Sequence, residues 1–260
     1  MSIRSLFTAG FGVLKVRFYF SFRSPFAGIA FYRLRRCALF NDFDIELIPV
    51  WPDIIFGGHM DNPSDNVFKL SYVFEDATRQ AEEAGLATEY LRELSSSLKL
   101  PKGVDYRKQK VGLNLPPEPW GIAHHAFLYA QEQNLGWIFG DAVFARRFSF
   151  DGQGGGDVLN LDVLGDIAEQ VGLDPEAVRS AHQSGRYRQR EQEIIAMSES
   201  DGVFGVPFFA YDFLGEDDVS TTEVFWGNDH LPYLYKALTG ADTIPLITAD
   251  SLTEVQPPRR

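Results

Sequence analysis

Sulfur is scarce in this chain: its 260 residues include one cysteine, Cys37. No intrachain disulfide can form, which points to a reducing compartment, with the cytoplasm, or else an organelle interior, as the expected location. Cys37 itself reads as a small buried apolar residue rather than a nucleophile. No apolar run reaches the length of a membrane span. The opening MSIRSLFTAGFGVL mimics a weak signal peptide, but cleavage after Ala9 would leave the strand-like VLKVRFYFSF almost at the new terminus, so export is not expected. Basic residues are also in deficit, 24 Lys and Arg against 36 Asp and Glu for a net charge of −12. That balance excludes a general nucleic-acid binder, which must neutralise phosphates with clustered cations. The densest basic stretch, residues 186–190, interleaves its arginines with Tyr187 and Gln189 and reads as a solvated helix face. Five scattered histidines and one cysteine make a poor metal set. The adjacent His124 and His125 point about 100° apart on a helix, so they do not share an ion, although one of them can line a cleft.

What is present is an ordinary globular composition, 45% hydrophobic and 23% charged, long enough for one large domain or a domain with an insertion. Residues 13–22 are rich in aromatic and β-branched side chains and predict a buried strand. After Ser24, the positions of Ile29, Phe31, Leu34 and Leu39 suit a helix packed on a sheet. FDIELIPVW, residues 43–51, predicts a second strand ended by Pro52, giving a β-α-β start. From 67 to 97 the pattern is helical, with Leu70, Val73, Phe74, Ala77, Ala81 and Ala84 on one face. Beyond a proline-rich break, helical segments follow at 120–134, 138–148, 161–172, 175–184 and 187–199. The period then returns to extended: VPFFAYD and TEVFWG predict paired strands. NDHLPYLYKALTG predicts a closing helix with Asn228 or Asp229 as N-cap and Gly240 just past its end. The tail EVQPPRR is expected to be disordered. The order predicts an α/β fold, with a sheet domain contributed by residues 13–66 and 200–240 and an all-helical insertion at 67–199.

Two motifs with chemical potential are weak. GQGGGD, residues 152–157, follows a helix-like segment and precedes no lysine, so it is a turn rather than a phosphate cradle. Ser24 lacks the glycines of a nucleophile elbow, and the neighbours Asp229 and His230 cannot form a standard relay. A hydrolase acting through Ser24 is therefore a minor alternative. The stronger combination is FYFSFRSPFAGIA, residues 18–30, with GVFGVPFF, residues 202–209. The first places Ser24 at a helix start with Pro25 in its first turn, where N–H groups favour an anion. The second leads a Val206-Pro207 step into a strand, which a cis bond would use to leave the Val206 backbone open to a peptide-like ligand.

These residues resemble the thioredoxin-fold branch that contains kappa-class glutathione transferases and 2-hydroxychromene-2-carboxylate isomerases, relatives of the DsbA-like oxidoreductases. FYFSFRSPFAGIA resembles their aromatic strand followed by Ser-Pro-aromatic, and GVFGVPFF resembles Gly-Val-x-Gly-Val-Pro, with Phe208 where Thr is usual. FWGNDHLPYL is similar to Trp-Gly-x-Asp-Arg-Leu, with His230 in place of Arg, and KLSYVFEDATRQA resembles the opening of the helical insertion. Residues 87–110 are longer than the usual connection, and the loop after Trp51 departs from the common version.

The resemblance implies a thioredoxin-like, DsbA-like fold. It also implies glutathione as the borrowed thiol, since Ser24-Pro25-Phe26-Ala27 stands where the disulfide branch has Cys-x-x-Cys. It implies that Ser24 holds the thiolate and that Pro25 and Phe26 shape the site. Val206 and Pro207 would pair with the cysteinyl part, Asn228 and Asp229 would hold the γ-glutamyl end, and Asn62 would reach the tripeptide. The implied activity is isomerisation of a small aromatic 2-oxo acid, with Phe22, Phe26, Trp51 and Phe56 around the sulfur. A kappa-type transferase conjugating electrophiles shares every one of these residues, and a redox-inactive binding scaffold is a further alternative. Glutathione-binding folds are often dimeric, so a homodimer is an implied arrangement.

Overall fold

The computed structural model describes residues 15–51, 66–98, 119–214 and 220–253. Strand β1 (Lys15–Phe20) runs into helix α1 (Pro25–Arg36), and a 3-10 turn at Ala38–Phe40 leads to β2 (Asp44–Pro49). Seven helices follow: α2 (Val67–Glu83), α3 (Glu89–Ser97), α4 (Pro119–Glu132), α5 (Gly136–Phe148), α6 (Leu161–Val171), α7 (Pro175–Gln183) and α8 (Arg188–Ser200). The chain then returns to β3 (Phe208–Leu214), β4 (Ser220–Trp226) and α9 (Leu231–Thr239). The four strands form one mixed sheet in the order β2-β1-β3-β4. Strands β1 and β2 are parallel with Phe20 opposite Pro49, whereas β3 is antiparallel to both β1 and β4. The expected α/β fold with helices inserted between its second and third strands is the one observed.

The period-2 alternation of β1 decides the packing. Val16, Phe18 and Phe20 face α1, and Arg17 and Tyr19 face the other way. On the first face Phe18 stacks on Phe209 with centroids 4.9 Å apart, Phe20 meets Phe127 of α4 at 5.0 Å, and Phe22 meets Phe144 of α5 at 4.7 Å. Such pairs add about 0.5–1.5 kcal/mol each beyond the area they bury. The same core includes Phe31, Phe74, Leu91, Phe139 and Leu164, so the helices and the sheet share one hydrophobic cluster. On the second face Tyr19, Ile48, Phe208 and Ala210 pack with Trp51, Leu128, Tyr187 and Ile194. A polar clamp fixes the end of α8 there. Arg17 donates to Asp201 at 2.6 Å and to Asp212 at 2.7 Å, and the Tyr19 hydroxyl donates to Asp201 at 2.6 Å.

Two expectations need correction. The helical pattern over 67–97 is two helices, because the chain turns at Gly85, whose φ of 72° is a left-handed conformation that a side chain would strain. Asn66 caps the first of them, accepting from the Phe68 and Lys69 N–H groups. At the other end of the chain, NDHLPYLYKALTG is a 3-10 turn at Asn228–His230 followed by α9, which ends at Gly240. The expected disordered tail lies outside the described residues. Among the described residues no helix is long and apolar enough to cross a membrane.

Candidate active site

The carboxyl ends of the parallel strands β1 and β2 lie on one edge of the sheet, and the Val50 N–H extends their pairing by donating to Phe20 O at 2.8 Å. The chain leaves β1 there through a turn in which the Ser24 N–H donates to Ser21 O at 3.0 Å. Ser24 has extended dihedrals and is the N-cap of α1, with Pro25 in the first helical turn. Its Oγ accepts from the Ala27 N–H at 3.2 Å and donates to the carbonyl of Val206 at 3.3 Å. The Val206–Pro207 peptide bond is cis. Ser24, Pro25, Val206 and Pro207 are thus brought together across 182 residues of sequence. The Phe26 and Val206 N–H groups have no hydrogen-bond partner among the described residues. Phe26 is half-buried beside them.

This cluster suits an anion. A hydroxyl stands at the positive end of a twelve-residue helix, and the first turn of α1 carries no acidic residue. It holds no sulfur. Cys37 caps the opposite end of α1, is 1% exposed, and has its thiol pushed up by burial.

The remaining expected residues are placed otherwise. Asn228 is 1% exposed, and its side chain is spent inside the protein: Oδ1 accepts from Arg33 at 2.8 Å and Nδ2 donates to Gln80 Oε1 at 2.5 Å. It is therefore not the N-cap of the closing helix, and neither is Asp229. His230 occupies that position, and it forms no side-chain cap bond. Asp229 is exposed, with an oxygen 3.5 Å from His230 Nδ1. The turn remains close to the site, because the Gly227 N–H donates to Pro207 O at 3.0 Å. Asn62 and Phe56 lie outside the described residues. Phe22 and Trp51 are buried rather than open to a cleft, and both pack on His124, with centroids 5.5 and 4.9 Å away. The aromatics exposed next to the Val206 loop are Phe204 and Trp226, whose rings lie 5.1 Å apart.

Sequence reasoning missed the surroundings of the histidine pair. His125 Nδ1 lies 2.9 Å from His182 Nδ1, and its Nε2 lies 3.4 Å from a carboxylate oxygen of Glu191. Burial, reinforced by the neighbouring His182 ring, holds the His125 imidazole down to about 4, and burial raises the Glu191 carboxyl. Histidines separated by 57 residues give no local signal of their meeting. Among the described residues no group of three or more potential ligands is placed to hold a metal.

The chain matches the DSBA-like thioredoxin domain over residues 15–239. It is 27% identical over 230 residues to the 2-hydroxychromene-2-carboxylate isomerase of Sphingobium xenophagum, covering 84% of this chain and 95% of that protein. Its fold superposes on a solved 2-hydroxychromene-2-carboxylate isomerase with a TM-score of 0.57 at 24% identity, covering 86% of this chain and 94% of the other. It also superposes on the cytosolic disulfide reductase DsbM from Pseudomonas aeruginosa, solved with GSH, with a TM-score of 0.51 at 15% identity over 86% and 96% of the two chains.

Proposed function

Because the chain belongs to the DSBA-like thioredoxin domain family, we propose that it is a glutathione-dependent isomerase of a small aromatic 2-oxo acid, with Ser24 holding the tripeptide's thiolate. The observation that carries this reading is the serine itself. A hydroxyl stands at the N-cap of α1, against the Val206 carbonyl, and the chain's one cysteine is buried at the far end of that helix. Disulfide exchange is closed to such a site, whereas stabilising a borrowed thiolate is not. The names of the relatives support the reaction class.

The donor set fits the group. Ser24 can turn its hydroxyl from the Val206 carbonyl to a sulfur anion, and the α1 N-terminus adds its field. At comparable helix termini cysteine thiols fall from about 8.5 by one or more units. The Val206 N–H and C=O flank the position where a peptide backbone would pair. Bound glutathione would supply a thiolate that adds to an electron-poor alkene and leaves after the bond has rotated. Asp229, exposed next to the Gly227 turn, is the group offered to the tripeptide's ammonium.

Ser24→Ala tests the reading. A hydrogen bond to a charged partner is worth about 1.5–3 kcal/mol, so the variant should lose affinity for immobilised glutathione roughly tenfold or more. Turnover of an aromatic α,β-unsaturated 2-oxo acid should fall with it. Undiminished turnover in Ser24→Ala, or a wild-type protein that glutathione does not retain, would overturn the proposal.

A further inference from the structure

The short turn that carries Asp229 is fastened on both sides. Gly227 enters it with a φ of 102°, and its N–H donates to Pro207 O at 3.0 Å, so one end hangs from the Val206 loop. The Asp229 carboxylate folds back over Gly227, on the side where a Cβ would collide with it. The second anchor is Asn228, which precedes Asp229 in the 3-10 turn and sends its buried carboxamide to both α1 and α2.

The hydrogen bonds through that carboxamide have a fixed direction. A carboxylate only accepts and a guanidinium only donates, so two amides strung between them can each point one way. At one end is Asp76 of α2, whose Oδ1 accepts from Arg79 Nη2 at 3.0 Å and whose Oδ2 accepts from Gln80 Nε2 at 2.7 Å. Gln80 therefore turns its Oε1 to Asn228 Nδ2, 2.5 Å away. Asn228 in turn presents its Oδ1 to Arg33 Nη1, 2.8 Å away. Arg33 closes the chain from α1, donating also to Glu83 at 2.9 Å. Asn228 is 1% and Arg33 4% exposed, so little water competes for these partners, and reversing one amide would set acceptor against acceptor. Asp76 and Gln80 are half-buried and lie on the insertion, whereas the turn they reach belongs to the sheet domain.

We propose that Gln80, oriented by Asp76, is a positioning residue for glutathione: through Asn228 it holds the turn so that the Asp229 carboxylate meets the tripeptide's ammonium. A helix of the insertion thereby sets the affinity of a site built on the sheet. It acts on the amine end of the ligand and not on the thiolate at Ser24. The assignment rests on the glutathione reading above.

Calorimetric titration with two ligands tests it: glutathione, and glutaryl-cysteinylglycine, which lacks only the ammonium. The wild type should prefer glutathione about tenfold or more, as a hydrogen-bonded charge pair does. Gln80→Glu sets two carboxylates against each other and should lose most of that preference while its affinity for the glutaryl analogue stays unchanged. Adding Asp76→Asn to Gln80→Glu restores the order of donors and acceptors at the net charge of the wild type, and it should restore the preference. A merely structural role would weaken both ligands together. An equal loss for the two ligands, a preference retained in Gln80→Glu, a double variant that stays defective, or a wild type without the preference overturns the assignment. Failure of the glutathione reading is distinguishable: the wild type would then bind neither ligand, and the assignment falls with it.

Discussion

His125 makes stability depend on acidity in a definite direction. Its folded-state proton affinity is depressed from an ordinary 6.5 to about 4, chiefly by burial. Between those values the unfolded chain binds a proton there that the folded chain does not, so stability falls as the pH falls through this window. The limit is about 3 kcal/mol, the worth of such a shift. Urea unfolding at pH 7 and pH 4.5 should show most of that loss, and His125→Gln should flatten the difference. A wild type equally stable at both values would show that the ring is not held neutral. At this scale the sequence was legible where a role depends on neighbours along the chain. Ser24 before Pro25, and Val206 before Pro207, announce a helix cap and a strand entry through backbone rules alone. Asn228 was not legible, since its fate depends on Arg33, 195 residues away. A buried guanidinium needs several partners, and Asn228 accepts from Arg33 beside the Glu83 carboxylate instead of capping α9.

Among the elements, the crossing of α1 and α5 is closely fitted. A Cβ at Gly140 would stand 2.5 Å from Phe31 Cζ and 3.0 Å from Phe127 Cε2. Phe31 cannot yield easily, because its ring is hemmed in by Phe18, Phe20, Trp137 and Phe144. Alanine is the better helix former by about 1 kcal/mol, but overpacking a filled core costs about 1–3 kcal/mol. Gly140→Ala should therefore lower stability by up to about 2 kcal/mol net and reduce Tm by up to several degrees; a raised Tm would mean the rings repack freely. Hydrophobic period revealed these helices and strands because each buries one face. The break at Gly85 escaped it, since the apolar positions keep their helical spacing up to Ala84 and the stop rests on the φ of one glycine. The meeting of α4, α7 and α8 around His125 escaped it too, because period tells which face is buried and not against what.

For the whole molecule, the shared core has a consequence that the separation of segments along the chain conceals. Phe18, Phe20 and Phe209 of the sheet belong to the same cluster as Phe127, Phe144 and Leu164 of the helices. The helices have no separate core of that size to keep when the sheet is lost. Unfolding in denaturant, followed by far-ultraviolet circular dichroism and by tryptophan fluorescence, should give one coincident transition. Two resolved transitions would show that the insertion folds on its own. The α/β class, the chain order and the interruption of the sheet by helices could all be read from the pattern. The mixed strand order and the joining of both parts into one core required the coordinates.

Cys37, at the C-terminal cap of α1 with its thiol closed to solvent, also makes the molecule experimentally convenient. A cysteine introduced at any exposed position would be the one thiol open to maleimide or iodoacetamide reagents. Dyes, spin labels or crosslinkers could then be attached singly, without first engineering a cysteine-free background.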